Sequence, residues 1–92
     1  MDKIDFDVMK EIIDAGDAFN ILYCAQDCEL SILRCRLKSK ISLKESQFLD
    51  KKFKENGFQY RRVILPESNN DIITICLEHI VMFEGKTVKK VK

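Results

Sequence analysis

Four cysteines and a single histidine are the side chains of this sequence best suited to metal binding or nucleophilic catalysis. They are Cys24, Cys28, Cys35, Cys76 and His79. Structural zinc sites use closely paired cysteines, and the sequence contains no CxxC pair and no glycine directly after a cysteine. If Ile72 to Phe83 forms one strand, Cys76 and His79 also face opposite sides of the sheet. We therefore predict buried, reduced thiols, no bound metal and no cofactor.

The compartment prediction rests on the start of the sequence and on its longest apolar stretch. Met1 to Asp17 is acidic and periodic, unlike an export signal, so we expect a cytoplasmic protein without disulfides. Ile72 to Phe83 contains Glu78 and His79 and is far shorter than the ~20 apolar residues of a membrane helix. No association with a membrane is expected.

Catalytic motifs are missing from the sequence. It has no glycine-rich phosphate loop, no serine-centred elbow and no HExxH pattern. A cysteine–histidine pair using His79 is compatible with the residue types, since its partners need only be close in space. A chain of 92 residues leaves little room for a concave substrate pocket. We therefore predict a protein that is not an enzyme.

Two helices carry clear local signals. The first is predicted to begin at the N-cap Asp5 and to end at Gly16, with Val8, Met9, Ile12 and Ile13 at helical spacing. The second begins with a capping box formed by Ser42 and Glu45 and ends at Asn56-Gly57. Its apolar stripe consists of Leu43, Phe48, Leu49 and Phe53.

The stretch from Ala18 to Lys38 allows two interpretations. As strands, it divides into Phe19–Cys24 and Glu29–Lys38, joined around Gln26-Asp27. The adjacent apolar residues Ile32 and Leu33 break the alternation expected of the second strand. As a helix, most of its polar residues fall on one stripe, and the sequence contains no glycine or proline between Gly16 and Gly57. The helix is the preferred interpretation.

After Gly57 the apolar pattern changes to a period of two. Phe58 to Leu65 and Ile72 to Phe83 are predicted strands, and Glu84-Gly85 is a predicted tight turn into Lys86–Val91. The whole is predicted to be one α+β domain, residues 1–92, with N-terminal helices followed by a C-terminal antiparallel β-meander. If Ala18 to Lys38 forms strands, the order is α-β-β-α-β-β-β with one antiparallel sheet. The predicted core includes Ile12, Phe53, Ile75 and Leu77.

The net charge of +1 conceals an uneven distribution of charge along the chain. Residues 1–30 hold eight acids and two bases, whereas residues 31–62 hold ten bases and three acids. Such a dipolar surface steers charged partners. The predicted binding face is the basic segment 34–62, through the residues Arg34, Arg36, Lys38, Lys40, Lys44, Lys51, Lys52, Lys54, Arg61 and Arg62.

Two classes of function fit this charge pattern. We predict a small protein-binding module of the inhibitor, immunity or assembly-adaptor type, with an acidic N-terminal face and a basic central face; a homodimer is compatible with the same pattern. The alternative is a DNA- or RNA-binding protein. Helices over residues 28–38 and 42–56, followed by a basic hairpin, would resemble a winged helix-turn-helix. The acidic first third and the near-neutral total favour a protein partner.

Overall fold

The computed structural model describes residues 2–25 and 29–90. The elements in this part of the chain are β1 (Lys3–Asp5), α1 (Phe6–Asp14), β2 (Phe19–Cys24), β3 (Leu30–Leu37), α2 (Leu43–Asn56), β4 (Tyr60–Leu65), β5 (Asp71–Cys76), a 3₁₀ helix (Leu77–His79), β6 (Ile80–Phe83) and β7 (Lys86–Lys89). The described strands form one mixed sheet in the order β1-β7-β6-β2-β3-β4-β5, in which only the pair β1–β7 is parallel. No helix in these two ranges is long and apolar enough to cross a bilayer.

The predicted α+β class is confirmed, but the preferred arrangement with all helices first is wrong. The segment predicted as a helix, Ala18 to Lys38, forms the antiparallel strands β2 and β3. In β3, Leu33, Cys35 and Leu37 alternate toward the interior, and Ile32 points outward. Ile32 therefore broke the expected alternation because it is an apolar residue on the outer side of the sheet.

The alternative order is closer to the observed fold, and it differs in two elements. The short strand β1 precedes the first helix and pairs Ile4 with Val88 in β7. The predicted strand Ile72 to Phe83 is interrupted by the 3₁₀ helix. The turn at Glu84-Gly85 is confirmed, and both residues have positive φ as in tight hairpin turns.

The 3₁₀ helix forces the sheet to curl. β5 and β6 lie four strand positions apart, which is about 19 Å in a flat sheet. Five residues from Cys76 to Ile80 span at most about 14 Å even when extended, so the sheet must bend to bring the two strands together. The Cys76 N–H accordingly donates to the Tyr23 hydroxyl of β2 at 2.8 Å, across the curl.

Helix α1 covers the inner side of this curl. Asp5 occupies the predicted N-cap position. Met9 and Ile13, one helical turn apart, are fully buried, whereas Ile12 points away from them and is 41% exposed. The prediction that Ile12 is buried is therefore wrong. The core consists of Ile4, Met9, Ile13, Phe19, Ile21, Cys35, Val63, Ile75, Leu77, Ile80 and Phe83, which confirms Ile75 and Leu77.

Helix α2 lies against the sheet, and none of its residues is fully buried. All of its residues are described. Its predicted ends are confirmed: Ser42 and Glu45 form the capping box, and Gly57 takes the left-handed conformation. Phe53 is 52% exposed, so the prediction that it lies in the core is wrong. The side chains of the apolar stripe of α2 lie beside the sheet and remain at least partly exposed.

This difference predicts unequal effects of two phenylalanine truncations on the free energy of unfolding. Phe83 is fully buried and packs against Phe19 with ring centroids 5.5 Å apart, so Phe83→Ala should cost about 3–5 kcal/mol. Phe53→Ala should cost roughly 1 kcal/mol, because about half of its surface already contacts water. Urea denaturation of both variants measures the two costs. Equal losses would contradict this assignment of the core.

Candidate functional site

The basic residues predicted to share one face are distributed over both sides of the sheet. Consecutive strand residues face opposite sides, and this separates Arg61 from Arg62 in β4. The Arg61 Nε lies 2.9 Å from the Asp14 Oδ1 of α1, on the inner side. The Arg62 Nε lies 2.9 Å from the Glu45 Oε2 of α2.

Glu45 is the centre of the cluster that attaches α2 to the sheet. Its Oε1 lies 2.7 Å from the Lys38 Nζ and accepts a hydrogen bond from the Ser42 N–H at 3.0 Å. Arg62 bonds the other oxygen and also donates to the Thr74 hydroxyl at 2.9 Å. The hydrogen bonds from Lys38, Ser42 and Arg62, in that order, lower the pKa of Glu45 to about 2. Lys38 and Arg62 are thus partly neutralised within the chain.

The remaining basic residues lie around α2 and on β3. Lys51 makes an exposed ion pair with Glu55 at 4.0 Å, and the Lys52 Nζ lies 5.6 Å from the centre of the Phe48 ring. Lys40, Lys44 and Lys54 are exposed, with no carboxylate partner among the described residues.

The outer side of β3 combines arginines with exposed apolar side chains. We call Leu30, Ile32, Arg34 and Arg36, which alternate on this side, the outer β3 face. Ile32 is 83% exposed, the largest exposure of any large apolar residue described. Its partner in the register is Leu22, which pairs on its other side with Met82, so an apolar row crosses three strands.

One of the two arginines of this face, Arg34, is oriented by polar neighbours. Arg34 Nη1 donates to the Asn20 Oδ1 at 3.3 Å, and its Nε lies 4.0 Å from Glu67. Arg36 pairs in the register with Ile64 and is exposed. Sequence reasoning found both arginines but missed Ile32 and Leu30. The signal in the sequence is the irregular alternation at Ile32 and Leu33, which a helix would also explain.

A groove of about 570 Å³ lies where β5, α2 and the end of β2 meet. It is lined by Tyr23, Ala25, Phe48, Lys52, Tyr60, Thr74, Cys76 and His79. Burial raises the pKa of Tyr23 above its ordinary value, so its hydroxyl is neutral at physiological pH. The His79 ring packs against Phe58 with centroids 5.7 Å apart. The groove is therefore largely aromatic, and Lys52 is the one lysine or arginine among the described residues that line it.

Cys76 and His79 both line this groove, so the prediction that they face opposite sides of one strand is wrong. The 3₁₀ helix between β5 and β6 breaks the alternation on which that prediction depended. The Cys76 thiol donates to the Glu78 carboxylate at 3.8 Å, and burial raises its pKa. A protonated thiol is a poor nucleophile and a poor metal ligand.

Two further described cysteines, Cys24 and Cys35, do not line this groove. Cys35 lies in the core, where burial raises its pKa to about 11. Cys24, Cys35 and Cys76 are free thiols, and Cys28 lies outside the described residues. Within residues 2–25 and 29–90, no group of three or more histidine, cysteine or acidic side chains is placed to hold a metal.

Comparison of the chain with protein-family models, curated proteins and solved structures finds no match. Function is therefore inferred from two surfaces: the outer β3 face and the groove beside α2. Both expose apolar side chains beside positive charge.

The lowered pKa of Glu45 predicts how acid affects the attachment of α2. An unfolded glutamate has a pKa of about 4.3, so the folded chain binds the proton less readily. The stabilisation by Glu45 is complete above that value and is lost as the pH falls toward 2. Urea denaturation of wild type and Glu45→Gln should show a stability difference that is constant above about pH 5.5 and shrinks below pH 4.

Glu55→Gln is the matched control, because Glu55 lies on the same helix in an exposed ion pair. Its stability difference from wild type should change little with pH, since exposed pairs contribute little. A Glu45→Gln difference that is as large at pH 2 as at pH 7 would contradict the role assigned to the ionised carboxylate.

Proposed function

We propose that this chain is a protein-binding domain that docks a partner on the outer β3 face. The observation that carries the proposal is the 83% exposure of Ile32 in β3, where it pairs with Leu22 of β2. Burying a side chain of this type contributes about 1.5–3 kcal/mol, and exposed apolar patches with polar rims are typical of interaction sites. Leu30 and Leu22 extend the apolar area around Ile32.

The charges on this face define the chemistry of the partner. Arg34 and Arg36 lie on one side of the apolar row, following Ile32 along β3. Arginine is enriched at protein interfaces, where its guanidinium binds carboxylates in a bidentate geometry. The partner surface that fits is an apolar centre bordered by aspartate or glutamate. A symmetric second copy fits less well, because it would bring this arginine pair close to its own equivalent.

The described geometry favours a protein over a nucleic acid. Residues 30–37 form β3, so the helix-turn-helix arrangement expected for residues 28–38 and 42–56 is not formed. Phosphate binding requires accessible positive charge. Lys38, Arg61 and Arg62 are held by Glu45 and Asp14, which leaves the accessible positive charge of the basic segment to its other members, among them Lys40, Lys44 and Lys54.

The test compares Ile32→Thr with Val8→Thr, using a partner recovered on the wild-type chain, identified and then purified. Both changes replace an exposed β-branched residue by threonine, and Val8 is 45% exposed on α1, on the opposite side of the sheet. Ile32→Thr should weaken the affinity by about tenfold or more, as truncation of a central interface residue does. Val8→Thr should leave the affinity unchanged. Arg34→Glu and Arg36→Glu should lower mainly the association rate.

Random-sequence duplex and single-stranded DNA and RNA provide the contrasting titration. By fluorescence anisotropy near physiological salt, the wild type should show no binding tighter than about millimolar. Salt-sensitive binding in the micromolar range would overturn the proposal in favour of nucleic-acid recognition. Equal losses of affinity in Ile32→Thr and Val8→Thr would also overturn it.

A further inference from the structure

Strand β5 forms one edge of the sheet, and half of its backbone groups point away from β4. The Lys38 N–H donates to the Arg62 carbonyl at 3.0 Å, so Arg62 bonds toward β3. Backbone groups of alternate residues in a strand point to alternate neighbours, and Val63 therefore bonds toward Ile73 in β5. It follows that the N–H and C=O groups of Ile72 and Thr74 point to the open edge.

This edge lacks the features that usually block strand pairing. Natural sheets protect edges with proline, lysine, bulges or a covering segment. β5 has the sequence DIITIC, pairs with β4 in continuous register, and has no described strand on its other side. Only the Cys76 N–H on this edge is already bonded, to the Tyr23 hydroxyl. The available edge is therefore the segment around Ile72 and Thr74.

The groove beside α2 borders this edge. Thr74 and Phe48 line both the main groove and a smaller cavity beside it, to which Lys44, Glu45 and Arg62 contribute. The main groove has no acidic lining residue, and Glu45 is neutralised by Lys38 and Arg62. Lys44 and Lys52 thus supply positive charge that no described carboxylate balances.

We propose that the β5 edge binds an extended, acidic segment of a partner protein by strand addition. The backbone of the segment pairs with Ile72 and Thr74, as in other complexes formed at a sheet edge. Every second side chain of an added strand faces α2. An apolar residue there packs on Phe48, and a carboxylate there meets Lys44 or Lys52. This site uses a different strand from the outer β3 face and does not depend on docking there.

The probe is the capped octapeptide Val-Thr-Glu-Thr-Val-Thr-Glu-Thr, in which every second residue is alternately valine and glutamate, so one side of the extended peptide carries both. Its matched control has the same side chains but N-methyl groups on alternate amides, which remove the hydrogen bonds of a strand. The first peptide should slow hydrogen exchange at the amides of Ile72 and Thr74, as followed by NMR. The N-methylated peptide should bind about tenfold more weakly or worse, because two or more backbone hydrogen bonds are lost.

Two lysine substitutions in α2 test whether positive charge at the groove contributes to binding of the acidic peptide. Lys52→Glu should weaken binding of the acidic peptide by about fivefold or more, whereas Lys54→Glu should not, because Lys54 does not line the groove. Replacing each glutamate of the peptide by lysine should abolish binding to the wild type and restore part of it to Lys52→Glu.

Three results would overturn the proposal. The first is no protection of Ile72 and Thr74 at about 1 mM peptide, which is the weak limit of useful affinity. The second is equal binding of the N-methylated peptide, which would show that backbone pairing is not involved. The third is protection of these amides that depends on protein concentration without peptide, which would assign the edge to a second copy of the chain. None of these results depends on Ile32.

Discussion

The connection through Leu77, Glu78 and His79 is the constraint on which the shape of this domain depends. It joins β5 and β6, which lie four strand positions apart in the sheet, and it is too short to cross a flat sheet. The curl that results encloses one side of the sheet around Phe19, Phe83 and the residues of α1. The same curl turns the other side of β3 outward. This small chain therefore has one enclosed core and one large exposed face.

Helix α2 has no fully buried residue and is joined to the sheet by ion pairs of Glu45. In this it differs from α1, and a groove lies beside it. Helix α1 buries Met9 and Ile13 completely, whereas α2 reaches the sheet through the Glu45 carboxylate. Charge-assisted hydrogen bonds from Lys38 and Arg62 to this carboxylate fix the position of the helix without requiring close apolar packing. Phe48 and Phe53 of α2 therefore remain about half exposed, and Phe48 lines the groove. A helix held in this way presents apolar side chains to a partner while its own position stays defined.

Local signals in the sequence predicted the elements that depend on nearby residues. The capping box of Ser42 and Glu45, the stop at Gly57 and the turn at Glu84-Gly85 each involve residues within a few positions of one another. Strand β1 could not be predicted, because its three residues are stabilised by parallel pairing with β7 at the far end of the sequence. The exposure of Phe53 also depends on packing between distant segments.

The outer β3 face can be predicted from the sequence only in part. Charge alone indicates Arg34 and Arg36 as binding residues, but the sequence pattern around Ile32 also fits a helix. An apolar residue on the solvent side of a strand contradicts the usual alternation, and such local conflicts are expected where function rather than stability selects the residue. The Glu45 cluster could not be predicted either, since it joins Lys38, Glu45 and Arg62 from three elements.

The most direct measurement of the central claim places a photo-crosslinking benzoylphenylalanine at position 32 in cells that produce the chain. Position 8 on α1, also exposed, is the control. Irradiation should join the chain to one protein from position 32 but not from position 8, and excess unmodified chain should suppress the product. Adducts with nucleic acid, or the same protein adducts from both positions, would contradict the assignment of the outer β3 face as a protein-binding surface.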